Sequence, residues 1–504
     1  MIDKTHFDIL NVIETHGTYQ PEKLAVCCGG VNRQWRDLKE NINKVANFFK
    51  KIGVTKGDNV ALLIGNRPEI LELIFGIVKM GACVVPLSGL LTKEQVTVLV
   101  NNSDAKLFIV DHDFINLVTS DLSQFKNIDE DKLLFLGGNR DCWEKIAIEE
   151  KDYSFEYNCA PEDNFNIIYS SGTTGVPKGI VQTHRARSHW ATSNAIEMSF
   201  NSESKALTTT ALYSNGTWLM MLPTLFVGGT LYVMDGFDAK SFVDLVKKEQ
   251  ITHTFLVPPQ FSAILSLESL KKDCFSSLET VLSAGSPLRL DIKENILSAI
   301  SENLFELYGF SEGFATMLKP YDQKEKFGSV GTPVLGFEIK IIDEKGRECS
   351  PNVAGEIAGY GAGMMKEYYG EEELTSNLIW TDNRGRSFIK SGDIGSLDQD
   401  GYLTILDRKK DMIISGGLNV FPVDIEEVVI KHPDIIESCV CGIDDDKFGE
   451  IVGAYIYSHA SIIDADLINF LSDKLANYKL PEIIKLTSKP VSYTHLTLPT
   501  TPYV

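Results

Sequence analysis

Short apolar segments alternate with amphipathic helical segments along most of this chain, and this alternation restricts its fold more than any other feature. An apolar run over residues 59–64 is followed by a helical pattern that begins at Pro68 and ends at Gly81, before the next run at 83–86. The same order recurs over residues 230–257. Because parallel strands need a crossover connection, repeated strand–helix units predict parallel sheets with helices on both faces.

The last part of the chain has a different pattern. A chain of 504 residues is expected to form two or three domains. From about Arg408 onward, helical and apolar segments alternate within a shorter stretch, which indicates a small α+β domain. We therefore predict an α/β fold with a large, multi-lobed N-terminal domain over residues 1–406. The predicted C-terminal domain covers residues 407–490.

The charge of the chain limits the partners that it can bind. Lys and Arg number 48 and Asp and Glu number 69, which gives a net charge of −21. An acidic chain without a basic block is a poor candidate for binding nucleic acid or an anionic membrane surface. An anionic ligand would therefore need a locally positive site.

Nothing in the sequence predicts a secreted or membrane-spanning protein. Residues 1–10 lack the apolar core of a signal peptide, and the longest apolar stretch, over 219–234, is interrupted and too short to span a bilayer. Nine cysteines at irregular spacing indicate reduced thiols rather than disulfides or a metal site. The sequence predicts a soluble, cytoplasmic protein with no integral membrane segment.

A loop rich in hydroxyls and glycines follows the apolar run at 165–168. Glycines allow backbone N–H groups to turn toward an anion, hydroxyls donate hydrogen bonds, and Lys178 adds a positive charge. A Walker loop has Gly immediately before its Lys, whereas Pro177 stands there in this chain. The loop predicts phosphate binding by Ser170, Ser171, Gly172, Thr173, Thr174, Gly175 and Lys178.

This loop resembles the phosphate-binding signature of the adenylate-forming superfamily, which includes acyl- and aryl-CoA synthetases, adenylation domains of peptide synthetases and beetle luciferases. Further motifs resemble those of the superfamily in order and spacing, as far as about Lys489. They lie at residues 283–288, 308–312, 355–357, 391–393, 407–411 and 415–417.

The resemblance implies an ATP site. Tyr308 offers an aromatic face to adenine, and Glu312 offers an oxygen ligand to Mg²⁺. Asp393 accepts hydrogen bonds from the ribose hydroxyls, and Arg408 completes the ribose and phosphate contacts. The other implied nucleotide-binding residues are Gly285, Ser286, Pro287, Gly309 and Ser311, the last standing where Thr is usual.

The reaction implied by the resemblance is the ATP-dependent ligation of a carboxylic acid to a thiol. Lys178, Glu312 and Thr174 are the catalytic candidates for forming an acyl-adenylate with release of pyrophosphate. A carboxylate is already a nucleophile, so attack on the α-phosphorus needs no general base. The expected cofactors are ATP and Mg²⁺, with CoA as co-substrate.

The second half of the reaction is expected to use a rotated C-terminal domain. In the superfamily this small domain is mobile, and the hinge matches Lys410. Gly416 and Gly417 would then lie beside the thiol tunnel, where glycine permits a close approach. The thiol of CoA attacks the adenylate and AMP leaves.

The sequence does not identify the acid substrate. Tyr213, Asn215 and Gly216 match the segment that borders the acyl pocket. Many relatives carry an aromatic–His pair in this segment, and here Ser214 and Asn215 replace the His. The apolar run at 218–226 suits either a pocket for a fatty chain or a buried helix. A medium- or long-chain fatty acid, and hence a part in fatty acid metabolism, is the leading prediction; an aryl or cinnamyl acid is the alternative.

The superfamily carries a Pro-x-Thr-x-x-Gly-Lys stretch whose lysine contacts the reacting carboxylate. Residues 491–504 contain neither Gly nor Lys, and Lys485 and Lys489 lie too early in the pattern to replace that lysine. We interpret 491–504 as a non-native tail after a truncated C-terminal domain. If the tail is native, a binding protein without turnover becomes an alternative.

Two further alternatives stay open. The acyl group could be transferred to a carrier-protein thiol instead of CoA, although no carrier-like motif is fused to this chain. The expected partners are small molecules, namely the acid, ATP and CoA, and a homodimer is left open.

Overall fold

The computed structural model describes residues 8–138, 141–147, 159–170, 178–268, 270–415, 418–445, 449–458, 464–472 and 474–487. The chain forms two compact units, residues 1–339 with 359–389 and residues 340–358 with 390–504. A mixed α/β fold with a large N-terminal part and a smaller C-terminal part is thereby confirmed. The predicted boundary after residue 406 stays a prediction.

A nine-stranded sheet belongs to the first unit. Its central strands are parallel, and its edge strands are antiparallel to their neighbours. In spatial order the strands are β15 (Thr332–Pro333), β14 (Ala315–Leu318), β13 (Leu304–Gly309), β12 (Thr280–Ser283), β11 (His253–Leu256), β9 (Lys205–Thr208), β10 (Thr230–Val233), β1 (Leu24–Cys28) and β2 (Val31–Gln34).

A seven-stranded sheet lies in the same unit. In spatial order it contains β18 (Glu367–Tyr368), β8 (Lys178–Thr183), β7 (Asn164–Ser170), β4 (Cys83–Pro86), β3 (Asn59–Leu63), β5 (Leu107–Asp111) and β6 (Leu133–Leu136). The strands from β7 to β6 are parallel, and β8 and β18 continue the sheet in antiparallel pairing. Every residue of β3, β4 and β5 is buried, as expected for parallel strands covered on both faces.

Helices pack on these sheets through apolar faces. In α2 the apolar residues recur at helical spacing and are buried, whereas α3 begins with a proline at its first turn, where the missing N–H costs nothing. The helices of the first unit are α1 (Ile9–Tyr19), α2 (Trp35–Lys51), α3 (Pro68–Lys79), α4 (Lys93–Asn102), α5 (Cys142–Ala147), α6 (His184–Glu197), α7 (Trp218–Val227), α8 (Ala239–Glu249), α9 (Pro258–Leu265), α10 (Leu290–Ala299) and α11 (Glu372–Asn377).

Helix α7 covers the apolar run whose role the sequence left open. Most of its side chains are buried, including that of Trp218, and the helix ends at Gly228 in a left-handed conformation with φ of 76°. A glycine suits that position because it lacks the Cβ that makes a positive φ unfavourable. The run therefore forms a core helix in this structure.

A five-stranded sheet contains the strands at which the chain passes between the two units. It holds β16 (Phe337–Ile342), β17 (Gly355–Gly361), β20 (Ser387–Leu397) and β19 (Ile379–Thr381), and β21 (Leu403–Arg408) pairs with β20. In the first unit β19 pairs with the beginning of β20, and in the second unit β21 pairs with the remainder of β20.

The rest of the second unit is a five-stranded sheet with two helices. The strands are β22 (Ile413–Ser415), β23 (Leu418–Val420), β24 (Ile435–Asp445), β25 (Gly449–Ser458) and β26 (Ile483–Thr487), and the helices are α12 (Pro422–Val429) and α13 (Asp464–Ser472). Their apolar side chains form a separate core that includes Ile425, Val440 and Leu467.

Over the described ranges, no helix is both long enough and apolar enough to cross a membrane.

Candidate functional site

The predicted phosphate loop connects two antiparallel strands. Ser170 ends β7 and pairs with Lys178, the first residue of β8, so the strand register holds both ends of the loop. Residues 171–177 lie outside the described residues. The roles of Ser171, Gly172, Thr173, Thr174 and Gly175 therefore stay predictions, as does that of the Ser170 side chain.

Two successive contacts connect Lys178 to Glu312 through Tyr368. Strand β18 pairs with β8, which puts Tyr368 opposite Ile180. The Lys178 Nζ lies 5.2 Å from the centroid of the Tyr368 ring, within the range of a cation–π contact. The Tyr368 hydroxyl donates a hydrogen bond of 2.5 Å to Glu312 Oε1. Lys178 and Glu312, which are far apart in sequence, are thus linked through a tyrosine.

Tyr368 stays a hydrogen-bond donor at neutral pH. Burial and the neighbouring Glu312 carboxylate both raise the pKa of its phenol, because each disfavours the phenolate. The backbone of Glu312 is held as well, since its carbonyl accepts a hydrogen bond of 2.7 Å from the Met365 N–H. These two contacts orient the Glu312 carboxylate.

Ser311 is part of a partly buried polar network. Its carbonyl accepts a 3.0 Å hydrogen bond from Gln182 Nε2, and its Oγ accepts one of 3.4 Å from Asn215 Nδ2. Asn215 Oδ1 in turn accepts a 3.0 Å hydrogen bond from Arg187. The same guanidinium donates through Nε to Asn166 Oδ1 at 2.7 Å. The structure thereby connects the predicted acyl-pocket residue Asn215 with the motif that carries Glu312.

The other predicted acyl-pocket residues lie beside Asn215. Tyr213 is half-buried and precedes the short 3₁₀ turn at Asn215–Thr217 that leads into α7. At Gly216, an added Cβ would lie 3.3 Å from the Phe255 ring, so a larger residue would need that ring to shift. This close approach favours glycine at position 216.

The predicted adenine-binding residues follow adjacent strands. Ser283 ends β12 and pairs with Glu306 of the neighbouring parallel strand β13, which continues to Tyr308 and Gly309. Ligands of parallel sheets bind outside the carboxyl ends of the strands. The residues after β12, Gly285, Ser286 and Pro287, are exposed there.

Gly309 has little space for a side chain. An added Cβ would lie 2.9 Å from the Phe314 carbonyl oxygen, closer than real Cβ contacts. The Tyr308 ring lies edge-on to Phe314, with 6.3 Å between the ring centroids. These contacts hold the Tyr308–Gly309 pair at the end of β13.

Asp393 and Arg408 are brought together in the second unit. They are register partners on β20 and β21, and Arg408 Nε lies 3.8 Å from Asp393 Oδ1. The Arg408 side chain is 61% exposed. Lys410, the predicted hinge residue, is half-exposed just after β21. Gly416 and Gly417 lie outside the described residues.

Glu312 fits a Mg²⁺ ion that is shared with phosphates. Among the described residues, no group of three or more His, Cys, Asp and Glu could hold a metal ion. Mg²⁺ bound to a nucleotide needs only one or two protein carboxylates, because phosphates and waters complete its octahedron. Glu312 is such a carboxylate, and the Tyr368 hydrogen bond holds one of its two oxygens in place.

Comparison with known families matches both parts of the chain. The AMP-binding enzyme family matches residues 13–369, and the AMP-binding enzyme C-terminal domain matches residues 424–493. The chain therefore belongs to the AMP-binding enzymes, and the predicted membership of the adenylate-forming superfamily is confirmed. Within that class it is an AMP-forming acid–thiol ligase, as predicted.

Individual relatives agree with this assignment. A 2-succinylbenzoate–CoA ligase from Geobacillus kaustophilus is 30% identical, over 94% of this chain and 92% of the relative. A fatty acid–[acyl-carrier-protein] ligase, ScoC, from Streptomyces coeruleorubidus is 28% identical, over 94% and 92%. The crystal structure of ATP-bound MatB from Rhodopseudomonas palustris matches with a TM-score of 0.86 and 25% identity, covering 96% of this chain and 95% of that one.

Several residues of the site were missed in the sequence. Tyr368 ends the two-residue strand β18 and has no distinctive spacing. Asn166, Gln182 and Arg187 occupy strand and helix positions that resemble core positions. Arg187 alone carries a signal, because an arginine on the buried face of a helix is unusual. That signal requires knowing which face of α6 is buried.

Proposed function

We propose that this enzyme activates a carboxylic acid with ATP, forms an acyl-adenylate with release of pyrophosphate, and transfers the acyl group to CoA. The observation that carries the proposal is the row Lys178–Tyr368–Glu312, which brings a cation and an oriented carboxylate together at the end of the predicted phosphate loop. The ATP-bound structure of MatB, which has the same fold, supports a nucleotide at this site.

The residues of the first unit supply positioning and charge. Lys178 neutralises charge on the departing pyrophosphate, and Glu312 would hold Mg²⁺. When bound, Mg²⁺ adds positive charge beside the phosphate oxygens. Tyr368 is a positioning residue that keeps the Glu312 carboxylate oriented. The substrate carboxylate attacks without a general base.

The second unit carries the remaining predicted nucleotide contacts. Asp393 would accept hydrogen bonds from the ribose hydroxyls beside Arg408, which lies within 4 Å of it. Lys410 would serve as the hinge, and Gly416 and Gly417 would lie beside the thiol tunnel. These roles rest on the motif positions. We propose that the protein acts in the cytoplasm because its irregularly spaced cysteines are typical of reduced thiols.

An aryl acid is the substrate class that we favour. The 2-succinylbenzoate–CoA ligase supports an aryl acid with CoA as acceptor. The fatty-acid prediction is not confirmed. It remains the second candidate because of ScoC, whose acceptor is a carrier protein rather than CoA.

The proposal is tested by measuring pyrophosphate release from ATP with panels of aryl and fatty acids, with and without CoA. We expect acid-dependent pyrophosphate release, and acyl-CoA and AMP when CoA is added. Product that forms only when a carrier protein replaces CoA would favour the second candidate. ATP binding without acid-dependent pyrophosphate release would contradict the proposed function and favour a binding protein.

A further inference from the structure

Arg187 is a buried charge that the chemistry described so far does not use. Arg187 lies on helix α6 and is 3% exposed. The guanidinium carbon lies 4.4 Å from the centroid of the Trp218 ring, and the guanidinium donates hydrogen bonds to Asn166 and Asn215. All three of these neighbours are neutral, so they solvate the positive charge without cancelling it.

No carboxylate compensates Arg187 in the described part of the chain. Burial lowers the pKa of its guanidinium to about 9, and no acidic neighbour offsets that effect. The group is still charged at neutral pH. The segment 171–177, which lies outside the described residues, contains neither Asp nor Glu. Because buried charges in proteins are normally paired, this one points to an anion supplied by a ligand.

The network also holds hydrogen-bonding atoms that are not used. Arg187 Nη2 and Asn166 Nδ2 are buried donors without a partner among the described residues. Both belong to side chains that already contact each other. Two N–H donors on neighbouring groups, one of them charged, suit an anionic oxygen pair such as a carboxylate.

The position of Arg187 relates this anion to the acid substrate. Asn215 lies between Arg187 and Ser311, and Ser311 directly precedes Glu312. Asn215 is also the residue predicted to border the acyl pocket. Arg187 is therefore hydrogen-bonded to the predicted pocket residue and lies at the end of the network opposite Ser311.

We propose that Arg187 is a specificity-determining residue that selects carboxylic acids carrying a second carboxylate. One carboxylate is adenylated, and the other accepts hydrogen bonds from the Arg187 guanidinium and from Asn166. This inference rests on the proposed function, since it names the class of acid that the same site takes. An alkyl chain without a second polar group would leave the buried charge unpaired.

The test uses pairs of acids with the same skeleton, one with a second carboxylate and one without, such as 4-carboxycinnamate with cinnamate and suberate with octanoate. For each acid, kcat/KM is measured in pyrophosphate release. Its Kd is measured by calorimetry in the presence of a non-hydrolysable ATP analogue. In the unmodified chain we expect at least one diacid to be preferred by about 10- to 100-fold, the range of a hydrogen bond to a charged group.

Variants then assign the preference to one residue. Arg187→Met should abolish the preference for the diacid while monoacids still react, and Arg187→Lys should retain part of it. Arg185→Met is the matched control, because Arg185 lies on the same helix but is 41% exposed and pairs with Glu162. We expect this control to keep the full preference. The rise in melting temperature on adding ATP reports whether each variant is folded.

The outcomes separate the two proposals. If monoacids react as well as diacids in the unmodified chain, or if folded Arg187→Met keeps the preference, the inference is wrong and the proposed function stands. If Arg187→Met lowers kcat/KM equally for both acids of a pair, Arg187 acts on the reacting carboxylate or on the structure, and the inference is also overturned. If Arg187→Met fails to fold, Arg187→Lys is used instead. An unchanged ratio of kcat/KM between diacid and monoacid in that variant overturns the inference. If no acid releases pyrophosphate, the proposed function fails first.

Discussion

The two units of this chain present their predicted ligand contacts in different ways. In the first unit the polar groups are linked, from buried Arg187 through partly buried Asn215 to Ser311, with Glu312 held by Tyr368. In the second unit Asp393 and Arg408 form a looser pair at 3.8 Å, and the arginine is mostly exposed. Antiparallel register places Tyr368 opposite Ile180 in the first unit and Asp393 opposite Arg408 in the second, so the difference lies in the hydrogen bonding and in the burial of the arginine rather than in strand geometry.

Burial changes the interaction energy of each contact. Charges that are close to each other near water interact by about 1 kcal/mol or less, whereas the same pair in a low-dielectric interior interacts several-fold more strongly. Groups that are held before the substrate arrives also need no reorganisation during the reaction. We therefore expect substitutions in the first unit to have larger effects than those in the second.

The largest effect is expected for Lys178→Ala. Removing a cation from the predicted phosphate site should lower the rate of adenylation by about 10²- to 10³-fold. Losing one preorganised hydrogen-bond donor from the active site of other enzymes has an effect of this size. Single-turnover formation of acyl-adenylate measures this. Lys366→Ala is the matched control, because the Lys366 Nζ donates to Asn164 on the same sheet. Similar losses in both variants would remove Lys178 from the phosphate site.

The effect of burial on charge can be checked away from the site, at His253. Its ring is buried and hydrogen-bonded to Met198, and burial lowers its pKa to about 4. Since the folded-state pKa lies below the ordinary value of 6.5, the contribution of the neutral His253 ring to the free energy of unfolding is fully present above pH 6.5. It is lost as pH falls toward 4, because only the unfolded state takes up the proton. The loss amounts to about 3 kcal/mol.

This second prediction is measured by urea unfolding between pH 7 and 4. His253→Gln should be less stable at pH 7 but should show a weaker dependence on pH than the unmodified chain. The difference between the two curves isolates His253 from the carboxylates that titrate in the same range. Parallel curves would show that burial does not perturb this histidine.

A smaller effect is expected for Tyr368→Phe. The substitution keeps the ring beside Lys178 but removes the hydrogen bond to Glu312, so it should lower kcat/KM for ATP by about 10-fold. Because Glu312 would then be less well oriented, the requirement for Mg²⁺ should rise as well. Activity is measured over a Mg²⁺ titration, and Tyr369→Phe, next in the chain, is the control. An unchanged Mg²⁺ dependence would argue against the positioning role.

The smallest effect is expected for Asp393→Ala. The carboxylate would contact ribose in the ground state and the transition state alike, so KM for ATP should rise while kcat changes little. Because its partner Arg408 is exposed, we expect KM for ATP to rise by about 2- to 5-fold. Steady-state kinetics measure KM for ATP and for the acid, with exposed Asp400→Ala as control. A change in KM for the acid alone would contradict the ribose assignment.

Local pattern was sufficient for the fold class. The alternation of apolar and helical segments reflects which faces are buried, and this is a property of nearby residues. It predicted β3, α3 and β4. Asp393 and Arg408 were predicted from motifs, and strand register now brings them together.

Only tertiary structure could decide which distant residues touch. The run at 218–226 suited a pocket or a core by its pattern, and its packing as buried helix α7 distinguishes them. Tyr368 reaches Glu312 across 56 residues, and its strand β18 pairs with β8, far earlier in the chain. Arg187 is significant because it is buried without a carboxylate among the described residues. The sequence determined the segments and the chemical groups, whereas the contacts between segments depend on how the whole chain packs, because long-range pairing leaves no local periodicity.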